Sequence, residues 1–425
     1  MPRKKKARQP TISDFFQERL KEVQARQGTP GVFLGQDAER VVIGIPLPAF
    51  SLQYLYSANV YPLGRMEMLI GESDSCKTAF LFEKGRWFLS TPGGGFVYLL
   101  NEARDPAALR SSIIGEDLLS DGRFVLEGPC ESMEDWQRRI SHKEYGWLRK
   151  LEAVHEEIGD CAFPFLLGLD SITGTTNEKT IASIDEAGHA SISFAQDANL
   201  LNQYAKYLFQ RLYPWPVSFV CTNHIKYGQD RYGNRVMRIP GGDELRYVST
   251  YIVLLKHVKD IERTSVDGGR RIRFETVKTM GDRRIIEAEF LWLYNQHQVP
   301  QKSWWDWHSA STELLLSLSL SYPEKLQDIL TFPTVYKNQR SCSCPELGLP
   351  KPAPYAEVGA ALMDPQNEKV LQALQDRLGI RRYRLFEFGI SYRGQQERAL
   401  AEGSLESESP TREPSDGEPT SLPAD

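Results

Sequence analysis

The octapeptide Gly71-Glu-Ser-Asp-Ser-Cys-Lys-Thr78 stands between the apolar run MEMLI and the segment AFLFEKGRWFL, which has the length and composition of a helix. A small polar turn joining a buried strand to a helix is the setting of the phosphate loop G-x-x-x-x-G-K-[ST]. In that loop, backbone N–H groups and the helix start cradle phosphates, the lysine reaches their outer oxygens, and the hydroxyl holds Mg²⁺. Such a chain is confined to α/β folds, because a strand must deliver the loop and a helix must leave it. Gly71, Glu72, Ser73, Asp74, Ser75, Cys76, Lys77, Thr78 and Ala79 are therefore the expected nucleotide-binding residues. Cys76 stands where the motif has its second glycine, which brings a side chain to a point of close backbone approach.

The rest of the pattern agrees with a layered α/β core. FVYLL at 96–100 and FPFLLGLD at 163–170 are apolar runs of the kind buried on both faces of a parallel sheet. In residues 195–212, Leu200, Leu201, Tyr204, Leu208 and Leu212 recur at helical spacing. VSFVCTNHI and STYIVLLKHV predict further strands, and RRIRFETVKTM with RIIEAEFLWLY predicts an antiparallel pair. The expected organisation is a basic arm at 1–30, an α/β core at 31–310, a smaller C-terminal domain at 311–400 and an acidic tail at 401–425. Within the C-terminal stretch, TELLLSLSL and NEKVLQALQDRLGI read as helices and RLFEFGISY as a strand.

Composition removes several classes. Hydrophobic residues at 41% and charged residues at 25% suit a globular chain. No run of about 18 apolar residues is present, and MPRKKKARQP lacks the apolar stretch of a signal peptide, so neither secretion nor membrane spanning is expected. Six scattered cysteines suit a reducing compartment. Cys342 and Cys344 read as ordinary loop thiols, His189 and His308 as ordinary histidines, and Trp304, Trp305 and Trp307 as packing residues.

Three further segments carry chemistry. Asp170 ends a buried strand, where a carboxylate can support a Mg²⁺ shell beside Thr78; an isolated Asp there is more often a turn or cap residue. Glu102, in VYLLNEARDP, stands where a carboxylate can orient or deprotonate an attacking water, or is simply an exposed loop side chain. Residues 223–246 hold Lys226, Arg231, Arg235, Arg238 and Arg246 interleaved with Tyr227, Tyr232, Met237 and Ile239. Cations for phosphates beside aromatic and apolar groups for bases predict a DNA-binding loop, against the plainer alternative of a surface loop.

In order and spacing these four elements resemble the RecA-family strand-exchange proteins, and among them the phage-type DNA recombinases, over roughly residues 60–295. NEARDP resembles the segment with the catalytic glutamate, LLGLDS the Mg²⁺ strand, and FVCTNHIK with GGDELR the frame of the second DNA-binding loop. The resemblance implies a RecA-like ATPase core, ATP and Mg²⁺ as cofactors, and a helical self-filament on single-stranded DNA that pairs with double-stranded DNA. It implies Lys77 and Thr78 on phosphates and metal, Glu102 as water activator, Asp170 as metal support and a first DNA loop near 181–190. His224 falls where the family senses the terminal phosphate with glutamine. Lys278 matches the first of two lysines sent into a neighbour's site; Met280 stands at the second, with Arg283 or Arg284 as substitutes. A cytoplasmic, DNA-associated setting, in a nucleoid or an infected host cell, follows. The departures at Cys76 and Met280 leave open a weakly hydrolysing mediator, and the shared core leaves open a hexameric translocase.

The two ends have opposite charge. Residues 1–8 carry Arg3, Lys4, Lys5, Lys6 and Arg8 and no acid, while 402–425 carry seven acids against Arg412. Both predict disordered arms, the basic one suited to polyanions and the acidic one able to compete with DNA for a basic groove, against the plainer alternative of two solubilising tails. Gln9, Ile12, Phe15 and Phe16 resemble the clamp-binding box Q-x-x-[ILM]-x-x-[FY]-[FY], implying a sliding-clamp partner. The alternative is a helix at 13–26 that packs on a neighbouring protomer.

Overall fold

The computed structural model describes residues 42–102, 105–158, 163–187, 194–229, 231–262, 267–280, 286–295, 302–387 and several between 392 and 399. Val42–Arg393 forms one compact unit. The clamp-like residues Gln9, Ile12, Phe15 and Phe16, both charged arms, His189, Arg283 and Arg284 lie outside the described residues.

In chain order the strands are β1 (Ile43–Pro46), β2 (Val60–Pro62), β3 (Met66–Gly71), β4 (Gly95–Leu100), β5 (Phe124–Glu127), β6 (Phe165–Asp170), β7 (Val217–His224), β8 (Lys226–Gln229) and β9 (Arg235–Arg238). After them come β10 (Tyr251–Glu262), β11 (Asp267–Lys278), β12 (Glu287–Asn295), β13 (Lys302–Trp305), β14 (Val335–Tyr336), β15 (Ser341–Cys344), β16 (Leu349–Pro354) and β17 (Arg384–Leu385). Nine of them build one sheet in the order β13-β12-β11-β10-β3-β7-β6-β4-β5. From β10 to β5 every pairing is parallel. The β10–β13 side is antiparallel. The fold is thus mixed α/β on a mainly parallel sheet, and RRIRFETVKTM with RIIEAEFLWLY forms the expected antiparallel pair.

The strand pleat sorts side chains into two cores, because successive residues point to opposite faces. Leu69, Phe96, Tyr98 and Leu166 join Phe80, Phe88 and Trp87 of the helix Lys77–Ser90 on one face. Met68, Ile70, Val97, Leu99 and Leu167 join Trp136 of the helix Met133–Ser141 and Leu201, Leu208 and Leu212 of the helix Phe194–Leu212 on the other. Burying each such Leu or Phe contributes about 1.5–3 kcal/mol, which fixes strand register and helix orientation together. The register sets strand ends side by side: Gly71 pairs with His224, Gly71 with Leu255, and Leu100 with Asp170. Five chain segments therefore arrive at one edge of the sheet, outside the carboxyl ends of parallel strands, where α/β folds place their ligands.

Several expectations change. Cys342 and Cys344 are not loop thiols but buried residues of β15, whose sheet β14-β15-β16 packs with Leu315, Val358 and Leu374 in a third apolar cluster. Phe50 also enters that cluster, and Ser51 N donates to Ser311 Oγ at 3.0 Å, so the C-terminal elements are tied to the helix Phe50–Tyr56. Of RLFEFGISY only Arg384–Leu385 is a described strand, and it pairs in parallel with β1. Trp305 and Trp307 are buried and stacked at 5.0 Å, whereas Trp304 is exposed. Among the described residues, no helix is long and apolar enough to cross a membrane.

Candidate nucleotide site and the adjoining hairpin

β3 ends at Gly71, and the chain turns through the five residues Glu72–Cys76 into the helix that starts at Lys77. Gly71 is required by close approach: a Cβ there would lie 2.4 Å from Ser75 Oγ and 2.5 Å from the Leu255 carbonyl. Asp74 and Cys76 both take left-handed backbone, at φ 60° and 63°. This explains the motif's preference for glycine at the second of these positions, since a Cβ in that conformation costs roughly 1–2 kcal/mol. Burial pushes the Cys76 thiol up to about 11, with the nearby Arg270 guanidinium opposing.

Lys77 is buried, and its Nζ donates to the carbonyls of Glu72 at 2.7 Å and Gly71 at 3.2 Å and to Ser75 Oγ at 3.4 Å. Burial lowers its pKa, while Asp170 and Glu102 work the other way. Thr78 Oγ1 donates to Asp170 Oδ2 at 2.7 Å, which brings together the hydroxyl and carboxylate singled out from sequence. Asp170 also accepts from Tyr98 OH at 3.1 Å and from Thr222 Oγ1. Its pKa is raised by burial, although those three hydroxyl donors pull it down. The sequence reading lacks Tyr98 and Thr222; the signal for them is a hydroxyl set within each apolar strand run.

Glu102 follows β4, and its carboxylate lies 3.7 Å from His224 Nε2 at the end of β7, both side chains partly exposed. Buried Asn101 fastens the intervening backbone: its N donates to the Asp170 carbonyl at 2.7 Å and its Nδ2 to the Ser171 carbonyl at 2.6 Å. A cavity of about 400 Å³ is lined by Ser73 through Ala79 together with Glu102, Asp170 and His224, and also by Pro106, Leu109, Arg270 and Trp292. The last two, from β11 and β12, were missed. A second cavity of about 590 Å³ shares Leu109, Arg270 and Trp292 and continues to Tyr294, Lys302 and Ser303.

The residues present fit a magnesium nucleotide. Among the described residues no group of three or more His, Cys, Asp or Glu could hold a metal. A cation at Thr78 and Asp170 would thus take its remaining ligands from phosphates and water, as Mg²⁺ commonly does. Cys76 lines the cavity without closing it.

The segment at 223–246 is not a plain loop. β8 and β9 pair as an antiparallel hairpin that begins two residues after His224. Lys226, Arg231, Arg235, Arg238 and Arg246 are all exposed. Arg235 stacks on Tyr227 at 3.8 Å and Arg231 on Tyr232 at 4.7 Å. Met237 and Ile239, expected as base-contacting residues, pack instead against the second core cluster. Asn223 Nδ2 donates to the Pro240 carbonyl at 2.8 Å and closes the hairpin's base. The first DNA loop expected near 181–190 is helical through Ala187, and its remainder falls outside the described residues. Lys278 donates to the Arg246 carbonyl at 3.1 Å and to that of Tyr247, at the end of the helix Asp243–Val248; Met280 packs on the first core.

No protein-family model matches the chain, and no curated protein matches it.

Proposed function

We propose that this chain is an ATP-dependent DNA recombinase of the RecA-like kind, acting as a filament on single-stranded DNA and pairing it with double-stranded DNA. The observation that carries the reading is the meeting, in one cavity, of Lys77, the Thr78–Asp170 pair, Glu102 and His224, with an exposed basic and aromatic hairpin beginning two residues after His224. Thr78 and Asp170 would hold Mg²⁺, which when bound neutralises charge on the transferred phosphoryl group. Lys77 would exchange its loop carbonyls for phosphate oxygens. Glu102 would accept a proton from the water that attacks the terminal phosphorus, while the bond to the bridging oxygen breaks and ADP leaves with its electrons. His224, beside Glu102 and at the hairpin's root, would relay nucleotide state to the DNA contacts. Tyr227 and Tyr232 offer stacking faces, and the arginines beside them grip phosphates without reading sequence.

The test is ATP hydrolysis with and without single-stranded DNA, beside Lys77→Ala. DNA-stimulated turnover that the variant loses supports the recombinase. A second reading, a weakly hydrolysing DNA-binding mediator, draws on the left-handed Cys76 in the cavity wall; it predicts ATP and DNA binding without turnover. Closed rings in place of filaments on DNA would favour a translocase instead.

A further inference from the structure

The cavity at the phosphate loop has a charge problem for a polyanion. Its lining holds the carboxylates of Asp74, Glu102 and Asp170, and Lys77 is the cation that the loop itself supplies. The other permanently charged cation in the lining is Arg270, from β11, 196 positions away from the loop residue it touches. Its Nη1 donates to the Asp74 carbonyl at 3.2 Å. Its Nε stands 3.5 Å from Asp260 Oδ1, an exposed carboxylate that leaves the guanidinium only weakly neutralised. Arg270 also lines the second cavity, as do Leu109 and Trp292, so it sits at the junction of the two. A nucleotide whose phosphates fill the first cavity and whose nucleoside enters the second must pass across this guanidinium.

From this placement we infer that Arg270 is a phosphate-binding residue supplied by the same protomer, gripping the polyphosphate at its nucleoside end while Lys77 holds the loop end. The inference rests on the nucleotide-site reading above. A guanidinium suits the role, since its planar fork donates to two phosphate oxygens at once and does not lose its charge. Because the donor comes from the chain that owns the loop, the contact needs neither DNA nor a neighbouring subunit.

The experiment is calorimetric titration of the dilute, DNA-free full-length chain with Mg-ATP and, separately, with adenosine. The variants are Arg270→Gln, which keeps a donor for the Asp74 carbonyl but removes the charge, Arg270→Lys, and Lys77→Ala. Losing a charge-assisted contact should weaken Mg-ATP binding by about 10- to 100-fold in Arg270→Gln and less in Arg270→Lys, with adenosine affinity unchanged. Equal losses for ATP and adenosine would make Arg270 a scaffold residue and overturn the inference. So would an Arg270→Gln protein that binds Mg-ATP like wild type while Lys77→Ala does not, an outcome that leaves the site itself intact. Failure of the wild-type chain to bind Mg-ATP would overturn the site and the inference together.

Discussion

The helix Lys77–Ser90 buries two lysines two turns apart, and they are solvated in different ways. Lys84, fully buried, stands 2.9 Å from Glu67 Oε2 and donates to Tyr56 OH at 2.6 Å. The rings of Tyr61 at 4.1 Å and Phe80 at 4.6 Å close the cage. Glu67 in turn accepts from Tyr56 and Tyr61, each at 2.6 Å. Lys77 Nζ donates instead to two carbonyls and a hydroxyl. Burial depresses the pKa of both lysines, Lys84 to about 8, so desolvation alone does not separate them. The partners do. A buried cation with its own counter-charge and an aromatic enclosure is architecture, whereas one held by neutral dipoles at a cavity wall is ready for an incoming anion.

The contrast predicts opposite outcomes for neighbouring substitutions. Glu67→Ala, which strands the Lys84 charge, is expected to lose about 3–5 kcal/mol of stability in urea unfolding; a loss under about 1 kcal/mol would end the architectural reading of that pair. Lys77→Ala should leave the unfolding midpoint near wild type yet weaken Mg-ATP binding about 100-fold, as a lost charge-assisted phosphate contact requires. Equal damage to folding would erase the distinction between the two lysines.

A smaller effect concerns pH. The folded pKa of Lys84, about 8, lies below the ordinary 10.5, so between these values the unfolded chain binds a proton that the folded one does not. Stability therefore rises with pH from about 8 upward, relative to a Lys84→Met/Glu67→Gln double variant in which the charged pair is gone. Unfolding curves for the two proteins at pH 7 and pH 9.5 check the sign; parallel trends would refute it. Smallest of all, Cys76→Gly relieves a left-handed Cβ but frees the unfolded backbone and removes a partly buried thiol, so a gain of no more than about 1 kcal/mol is expected in thermal unfolding.

Legibility followed sequence distance. The runs at 66–71, 96–100 and 165–170 were readable because strands buried on both faces are continuously apolar, and Asp170 stood out as the charge that ends such a run. The helix over 194–212 announced itself by period. What was not readable depended on distant pairing. β1 is four residues long and finds its neighbour β17 some 340 positions later, with no pattern of its own to show it. Arg270 and Trp292 looked like ordinary strand residues, because only the antiparallel extension carries them to the phosphate loop. The β8–β9 hairpin reads in sequence as a loop, because its glycines and charges mask the alternation that turns Met237 inward.

The antiparallel extension also has a bearing on how the protein is made. A ribosome delivers the loop Gly71–Thr78 early, but the wall that Arg270 and Trp292 add to its cavity is encoded about 200 residues later. Until β11 and β12 have emerged and closed onto β10, a nascent chain owns a phosphate loop without a finished pocket. On the function proposed above, nucleotide would then stabilise only the completed product, by mass action on its folded form, and would not guide the earlier stages of synthesis.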